Sequence, residues 1–276
     1  MWTDITRAQH ARSGLRLPSD LTDAEWRVLE PLMPPAGAKV LGRPRKWGWR
    51  PLLDAMFYVL RGGLPWRMLP PGLFPPVSTV QRWFYCWRDN GLWQAINHAL
   101  VMLVRELEGR EASPTACIID SQSVKTTESG GPKGYDAGKR VKGRKRHILT
   151  DTIGLMLDAI VHTADIQDRD GGPLLLQKIR HRFPWLTHIF ADGGYAGAQF
   201  AGKAASTGEW TIEIVKRSDT AKGFVLLPRR WVIERTLAWL NRNRRLAKDF
   251  EKTLESATAW LFLASVQLLT RKAARY

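Results

Sequence analysis

The chain has 276 residues, 44% hydrophobic and 25% charged, which is enough for roughly two domains with a sizeable buried core. Lys and Arg outnumber Asp and Glu by 42 to 26, so the formal net charge is +16. Such an excess of positive charge favours a polyanionic partner, usually nucleic acid, over a neutral or acidic one; a solubilising surface is the alternative.

Cysteine content and apolar runs exclude other classes of protein. The two cysteines, Cys86 and Cys117, lie in apolar or aromatic surroundings typical of small core residues and are too few for a disulfide framework. The first 19 residues lack the apolar stretch of a secretory signal. The longest largely apolar run, 257–269, contains polar residues and is too short to span a bilayer. We therefore expect a cytoplasmic protein without a membrane partner.

Residues 20–110 predict a helical domain. Thr22 and Glu25 have the spacing of a capping box and open an amphipathic helix. Short helices joined by tight turns are compatible with helix-turn-helix DNA binding, although many small helical domains share this pattern. The predicted helices run from Thr22 to Leu32, over 50–61 with Gly62 and Gly63 after it, from Ser78 as the N-cap, and over 93–107.

The third of these helices carries the candidate base-reading side chains. Its apolar stripe leaves Gln81, Arg82 and Arg88 free to face a groove, and Gln and Arg can read adenine and guanine edges there. A preceding basic turn contributes Arg43, Arg45 and Lys46 as phosphate contacts or as a minor-groove hook, although runs this short are common by chance.

Beyond a short join the pattern becomes α/β, and residues 113–273 predict a second domain. An apolar run over 116–119 predicts a buried strand that ends at Asp120, and 187–191 predicts one that ends at Asp192. The remaining predicted elements are a hairpin around Ile153 and Gly154, a strand over 211–215, and helices over 171–183, 228–248 and 253–272.

The two aspartates are candidate metal ligands. Strand ends meet at one edge of a sheet, so Asp120 and Asp192 could lie together. A pair of carboxylates can hold Mg²⁺, which prefers oxygen ligands, and a third would complete a two-metal site for in-line displacement at phosphorus. Alternatively, each aspartate only caps the turn after its strand.

Glu234 is the best candidate for the third carboxylate. It lies mid-helix beside the apolar positions Ile233, Leu237 and Leu240, so it could reach the strand ends from the edge of a buried stripe. A surface ion pair with Arg230 is the alternative. Asp158 is expected at the surface, and N-capping explains the loop acids. The acids weighed against Glu234 are Asp151, Asp158, Asp165, Asp168 and Asp170.

A run of cations follows Asp120 and predicts a phosphate-binding patch on a loop beside the reacting bond. A solvated basic loop is the alternative. The cations are Lys125, Lys139, Arg140, Lys142, Arg144, Lys145 and Arg146.

Three motifs together resemble the DDE transposases of bacterial insertion sequences, specifically the insertion sequence 5 family. They are Asp120-Ser-Gln-Ser-Val-Lys125, Ala191-Asp192-Gly-Gly-Tyr195 and Arg230-Trp-Val-Ile-Glu234-Arg235. Amino-terminal motifs are similar to the helical domain of these enzymes, so the resemblance extends from about Leu21 to Ala273. Those motifs are Leu21-Thr-Asp-Ala-Glu-Trp26, Gly42-Arg-Pro44 and Gly63-Leu-Pro-Trp-Arg67.

The resemblance implies an RNase H-like catalytic domain, a mixed sheet flanked by helices, after an all-α helix-turn-helix-like domain. Asp120, Asp192 and Glu234 would hold two Mg²⁺ ions, which Mn²⁺ can replace. The implied partners are double-stranded DNA, as element ends and target, and further copies of the chain on that DNA. The implied reaction is strand cleavage followed by strand transfer, in the cytoplasm of a bacterium. The alternatives are a sequence-specific DNA-binding protein and a nuclease that does not join strands.

The sequence departs from the family pattern around the glutamate. Arg230 matches, but Leu227 stands where the family has Tyr and Asn241 where it has Lys. We therefore consider Arg242, Arg244 and Arg245 as substitutes for the missing lysine.

Overall fold

The computed structural model describes residues 3, 4, 12, 14–35, 46–215 and 228–276. The predicted DNA contacts of Arg43 and Arg45, the Gly42-Arg-Pro44 motif and the substitution at Leu227 lie outside the described residues.

Over residues 14–35 and 46–107, the described amino-terminal part, the chain forms four α-helices, as predicted. The side chain of Thr22 accepts a hydrogen bond from Glu25 N, and Glu25 completes the capping box. The predicted N-cap at Ser78 is wrong: the N-cap is Pro76 and the third helix begins at Val77, two residues earlier than predicted. The φ of proline is already restricted near helical values. The helices are α1 (Asp23–Leu29), α2 (Trp49–Gly62), α3 (Val77–Asp89) and α4 (Leu92–Leu107).

A six-stranded mixed sheet follows. Its central strand β1 runs antiparallel to β3 and parallel to β5, and β6 extends the parallel side. Both β2 and β4 pair antiparallel with the other edge of β3. The strands are β1 (Ala116–Lys125), β2 (Gly134–Asp136), β3 (Val141–Asp151), β4 (Met156–Thr163), β5 (His188–Ala191) and β6 (Thr211–Ile214).

In the described residues after 113, four α-helices cover the sheet: α5 (Asp168–Ile179), α6 (Ala198–Ala205), α7 (Pro228–Asn241) and α8 (Leu254–Ala273). The prediction that α7 continues to about residue 248 is wrong. The chain instead turns through Arg244–Leu246. That turn buries Arg245 against Glu251, with 2.6 Å between Nη2 and Oε1, so a favourable internal contact replaces further exposed helix.

One apolar core extends through the helices and the sheet. Helix α8 lies at its centre, because it packs on α2, α3 and α4 as well as on β4. Trp260 of α8 stacks on Phe84 of α3, with ring centroids 4.4 Å apart, and contacts Trp66 at 5.3 Å. The core of the amino-terminal helices is therefore completed by the last helix of the chain, and the boundary between domains 20–110 and 113–273 stays a prediction.

Within the ranges given above, no helix is long and apolar enough to cross a membrane.

Asp54 of α2 is a buried carboxylate in this helical layer. It is 8% exposed and accepts a 2.8 Å hydrogen bond from Leu21 N. Burial raises the pKa of Asp54 to about 6. Since this pKa lies above the value in the unfolded chain, ionisation opposes folding, and the free energy of unfolding falls as the pH rises from about 4 to above 6.

We expect Asp54→Asn to stabilise the protein at pH 8 by up to about 3 kcal/mol, because the amide keeps an acceptor for Leu21 N without the buried charge. The gain should shrink as the pH is lowered to 5. Urea unfolding of both proteins at the two pH values measures it. A variant that is less stable than the parent at pH 8 would show that the ionised form is favourable here.

Candidate active site

The register of β1 and β5 brings Asp120 and Asp192 together. Ile119 is paired with Ala191 in the parallel ladder, so the two aspartates are the next residues on neighbouring strands. Adjacent strands lie about 4.8 Å apart. The prediction that β1 ends at Asp120 is wrong, since the strand continues to Lys125. The continuation is possible because β3 pairs with β1 over its whole second half.

Asp120 occupies an unfavourable position for a negative charge. Burial, and then repulsion by Asp192, raise the pKa of Asp120 to about 7, although Ser121 N donates a 2.7 Å hydrogen bond to its carboxylate. Lys139 and Arg230 act in the opposite direction and lower this pKa. The two carboxylates therefore form a site that gains from a bound cation.

Asp192 ends β5 and caps the short 3₁₀ turn Gly193–Tyr195. Its Oδ1 accepts a 2.8 Å hydrogen bond from Gly194 N, which orients the carboxylate and leaves Oδ2 directed at Arg230, 3.9 Å from Nη2. The turn-capping interpretation of Asp192 is thus correct as geometry, and it is compatible with a role in the site.

Helix α7 carries Arg230 and Glu234 to these strand ends. Ile233, Leu237 and Leu240 are buried and fix the orientation of the helix. The side chain of Glu234 is 54% exposed, and its Oε1 lies 3.5 Å from Nη2 of Arg230. Arg230 therefore bridges Asp192 and Glu234, and the ion pair predicted as the alternative role of Glu234 is present.

The chemistry of these donors fits a hard divalent cation, because all three predicted ligands are carboxylates. Two of them lie side by side, and a guanidinium already occupies the space between Asp192 and Glu234. Among the described residues, however, no group of three or more His, Cys, Asp or Glu side chains is arranged to hold a metal ion. Glu234 would have to leave Arg230 to join the two aspartates.

Three of the other acids weighed for the third position have partners elsewhere. Asp151 forms a buried ion pair with Arg105 of α4, and Asp170 pairs with Lys203. The expectation of a surface-exposed Asp158 is wrong: it is fully buried on β4, where Lys178 and Arg182 each approach to 2.7 Å.

A buried polar network, which was not predicted, lies next to the two aspartates and includes Ser121 and Tyr195. The hydroxyl of Tyr195 lies 2.9 Å from Nδ1 of His147 and also interacts with Ser121. Ser121 Oγ donates a 2.8 Å hydrogen bond to Asp168, which Lys145 approaches to 2.9 Å. Tyr195 belongs to the motif that contains Asp192, so the motif could have indicated a role for Tyr195, whose side-chain partners are His147 and Ser121.

Arg144, Lys145 and Arg146 do not lie on a basic loop. They are part of β3 and are almost completely buried. Arg144 donates to Asp249, with 3.0 Å between Nη1 and Oδ1, and Arg146 donates to the Leu246 carbonyl at 2.7 Å. Because these three side chains are buried, they are not accessible for the phosphate contacts that the sequence predicts for them.

Two other predicted DNA-binding arginines are also engaged internally. Arg88 donates to Asp89 and to Ser256 Oγ and is half-buried. Arg245 is buried between Glu251 and the Leu64 carbonyl. Arg244 is exposed, so it remains a candidate substitute for the missing lysine. The remaining predicted DNA contacts that are exposed are Lys46, Arg82, Lys125, Lys139, Arg140, Lys142 and Arg242. Gln81 is half-buried.

Asn241, at the position of the missing lysine, donates a 3.1 Å hydrogen bond from Nδ2 to Gln122 of β1. This hydrogen bond connects the end of α7 to β1, the strand that carries Asp120.

Comparison with known proteins identifies related families. Residues 111–269 match a model described as a transposase DDE domain, and residues 21–97 match a putative transposase of the IS4/5 family. A putative transposase for insertion sequence element IS402 of Burkholderia cepacia is 31% identical over 153 residues, which cover 53% of this chain and 70% of the relative. An uncharacterized 16.2 kDa protein of the same element is 29% identical over 114 residues, 40% of this chain and 76% of that protein. No solved structure matches significantly.

We expect Arg144→Ala to destabilise the protein by about 3–5 kcal/mol, because the buried Asp249 carboxylate would lose its ion-pair partner. Arg144→Ala/Asp249→Ala should recover part of this loss. Denaturant unfolding of the two variants measures both effects. If the Arg144→Ala variant is as stable as the parent but binds DNA weakly, Arg144 contacts DNA and the structural role assigned to it is wrong.

Proposed function

The chain belongs to the IS4/5 family of DDE transposases, and on that premise we propose that it binds the ends of an insertion sequence and catalyses strand cleavage and strand transfer. The observation that carries the proposal is the pairing of β1 with β5, which sets Asp120 beside Asp192 with Arg230 of α7 between Asp192 and Glu234. Carboxylates at adjacent strand ends, with cations around them, suit chemistry at a phosphate.

We assign the catalytic part to the RNase H-like fold. Three antiparallel strands, β4, β3 and β1, are followed in the sheet by the parallel strands β5 and β6. If the short β2 is counted as an insertion, one aspartate lies on the first strand, the other follows the fourth, and the glutamate is on a later helix. This arrangement agrees with the one that the sequence resemblance implies.

Asp120, Asp192 and Glu234 would hold two Mg²⁺ ions. When bound, such ions activate water or a 3′ hydroxyl and stabilise the leaving oxygen. The protein contributes orientation: Gly194 N fixes Asp192, Ser121 N fixes Asp120, and the buried stripe of α7 fixes the position of Glu234. Arg230 partly neutralises Asp192 and Glu234, and its guanidinium could instead bind a DNA phosphate.

Recognition of the element ends is assigned to the amino-terminal helices. Arg82 on α3 is exposed, with Gln81 half-buried beside it, and both side-chain types can read base edges in the major groove. Lys46 is exposed before α2 and would contact phosphates, which add affinity without sequence information. The two DNA ends are expected to be joined by at least a dimer, acting on bacterial DNA in the cytoplasm.

We expect a donor fragment that ends in the inverted repeats flanking the gene to be cut and joined to a target plasmid. Asp120→Asn, Asp192→Asn and Glu234→Gln should each lower cleavage by about 100-fold or more and leave DNA binding intact, since each removes a ligand charge with little change of shape. Glu106→Gln, an exposed acid of α4, is the matched control. Cleavage without joined products would indicate a nuclease, and binding without cleavage a DNA-binding protein.

Activity should require Mg²⁺ or Mn²⁺ and be poorly supported by Ca²⁺, because Ca²⁺ takes more oxygen ligands in a looser geometry. Single-turnover cleavage by metal-stripped protein, with each ion added back in turn, tests this expectation. Undiminished cleavage in EDTA would contradict the assignment of the three carboxylates as metal ligands.

A further inference from the structure

A basic groove lies at the carboxyl-terminal end of β1, away from Asp120 and Asp192. It is open to solvent and has a volume of about 890 Å³. We call it the β1–β3 groove, because it is formed by the end of β1, the β2 segment, the start of β3 and Lys248. Its cations are Lys125, Lys133, Arg140, Lys142 and Lys248, and its other lining residues are Thr126, Thr127, Glu128, Ser129 and Tyr135.

The groove has an uncompensated positive charge. It contains five cations and one acid, Glu128, and all six side chains are exposed. Within the described ranges, none of the five cations forms an ion pair with a described carboxylate. The ring of Tyr135 is 54% exposed among them. Five unpaired cations on a concave surface match a polyanion, and an exposed aromatic ring adds a face on which a sugar or base can pack.

The groove is connected to the candidate active site by the turn between β2 and β3. Lys139 in that turn donates a 3.2 Å hydrogen bond from Nζ to the carbonyl of Ser121, the residue after Asp120, and the next residue, Arg140, lines the groove. Lys125 lies five residues beyond Asp120 on β1, a distance of about 17 Å at roughly 3.3 Å per residue. This distance corresponds to about five base pairs of B-DNA.

Arg140 supplies a second, independent indication. It is the only described residue other than glycine with a positive φ, 54°. An L-residue in the left-handed region is strained relative to glycine, so glycine would suit this turn better for stability alone. The Arg140 side chain places a guanidinium in the groove lining.

We propose that the β1–β3 groove binds the phosphodiester backbone of the DNA that leaves the active site, about five base pairs from the cut. The inference rests on the proposed function, since it takes the carboxylates as the point of cleavage. Continuity of the cations from Lys139 to Lys125 favours DNA over an acidic protein segment, because a strand held at the carboxylates must leave along one side of the site.

The test uses the full-length protein with the double substitution Lys133→Ala/Lys142→Ala. Binding to a duplex that carries the element end is measured against salt concentration in Ca²⁺. The slope of log K against log salt should fall in magnitude by about 2, or 0.9 for each lost phosphate contact. Arg110→Ala/Arg180→Ala removes two exposed cations outside the groove and should leave the slope unchanged. Lys133→Arg/Lys142→Arg keeps both charges and should bind as the parent does.

Two further measurements test the position of the contact on the DNA and the role of Arg140. On duplexes with flanking arms of about 2, 5 and 10 base pairs, the defect of the double variant should be absent with the shortest arm and present with the longer two. Arg140→Gly should weaken binding to the long arm while leaving the melting temperature equal or higher, because the strained turn is relieved.

If the Lys133→Ala/Lys142→Ala variant binds duplex DNA with the affinity and salt slope of the parent, the inference is wrong. An acidic protein would then be the partner to test. A defect of equal size on all arm lengths would overturn the assigned position. Failure of the unaltered protein to cleave any DNA would count against the proposed function alone, since groove binding is measured without cleavage.

Discussion

Parallel pairing of β1 with β5 is the constraint around which the rest of the site is organised. It forces Asp120 and Asp192 side by side, where burial and mutual repulsion raise the pKa of Asp120 to about 7. The surroundings offset this repulsion through amide donors and through cations from three different elements. Lys139 comes from the turn before β3 and Arg230 from α7, while Lys145 neutralises Asp168 behind the aspartates. A bound cation would relieve the repulsion between the two aspartates, although Glu234 would first have to leave Arg230 to join them.

The last helix makes the two halves of the chain interdependent. Trp260 of α8 packs against Phe84 of α3 and Trp66, while the same helix lies on β4. The junction between α7 and α8 is held by Arg144 of β3, which donates to Asp249 and to the carbonyls of Lys252 and Thr253. The amino-terminal helices and the sheet therefore share one buried helix, α8, and neither packs independently of it.

The excess positive charge serves two purposes. Arginines such as Arg144, Arg146 and Arg245 lie inside the protein, where the delocalised guanidinium can satisfy several carbonyls at once. Others, including Arg82 and Arg140, are exposed and free to meet phosphate or base edges. Net charge alone indicates a polyanionic partner, but it does not distinguish these groups, because burial depends on contacts made far along the chain.

The amino-acid sequence by itself determined the family, the helices, the β3–β4 hairpin and the identity of the candidate carboxylates, because caps, apolar periodicity and motifs are local signals. The tertiary structure alone decided the continuation of β1 past Asp120, the early end of α7 and the burial of the β3 arginines. Each of these depends on a partner distant in sequence: β3 for the extension of β1, the Leu64 carbonyl for Arg245, and Asp249 for Arg144. A pattern of residues predicts which face of an element is apolar; only the assembled chain determines what covers that face and which charges are left for DNA.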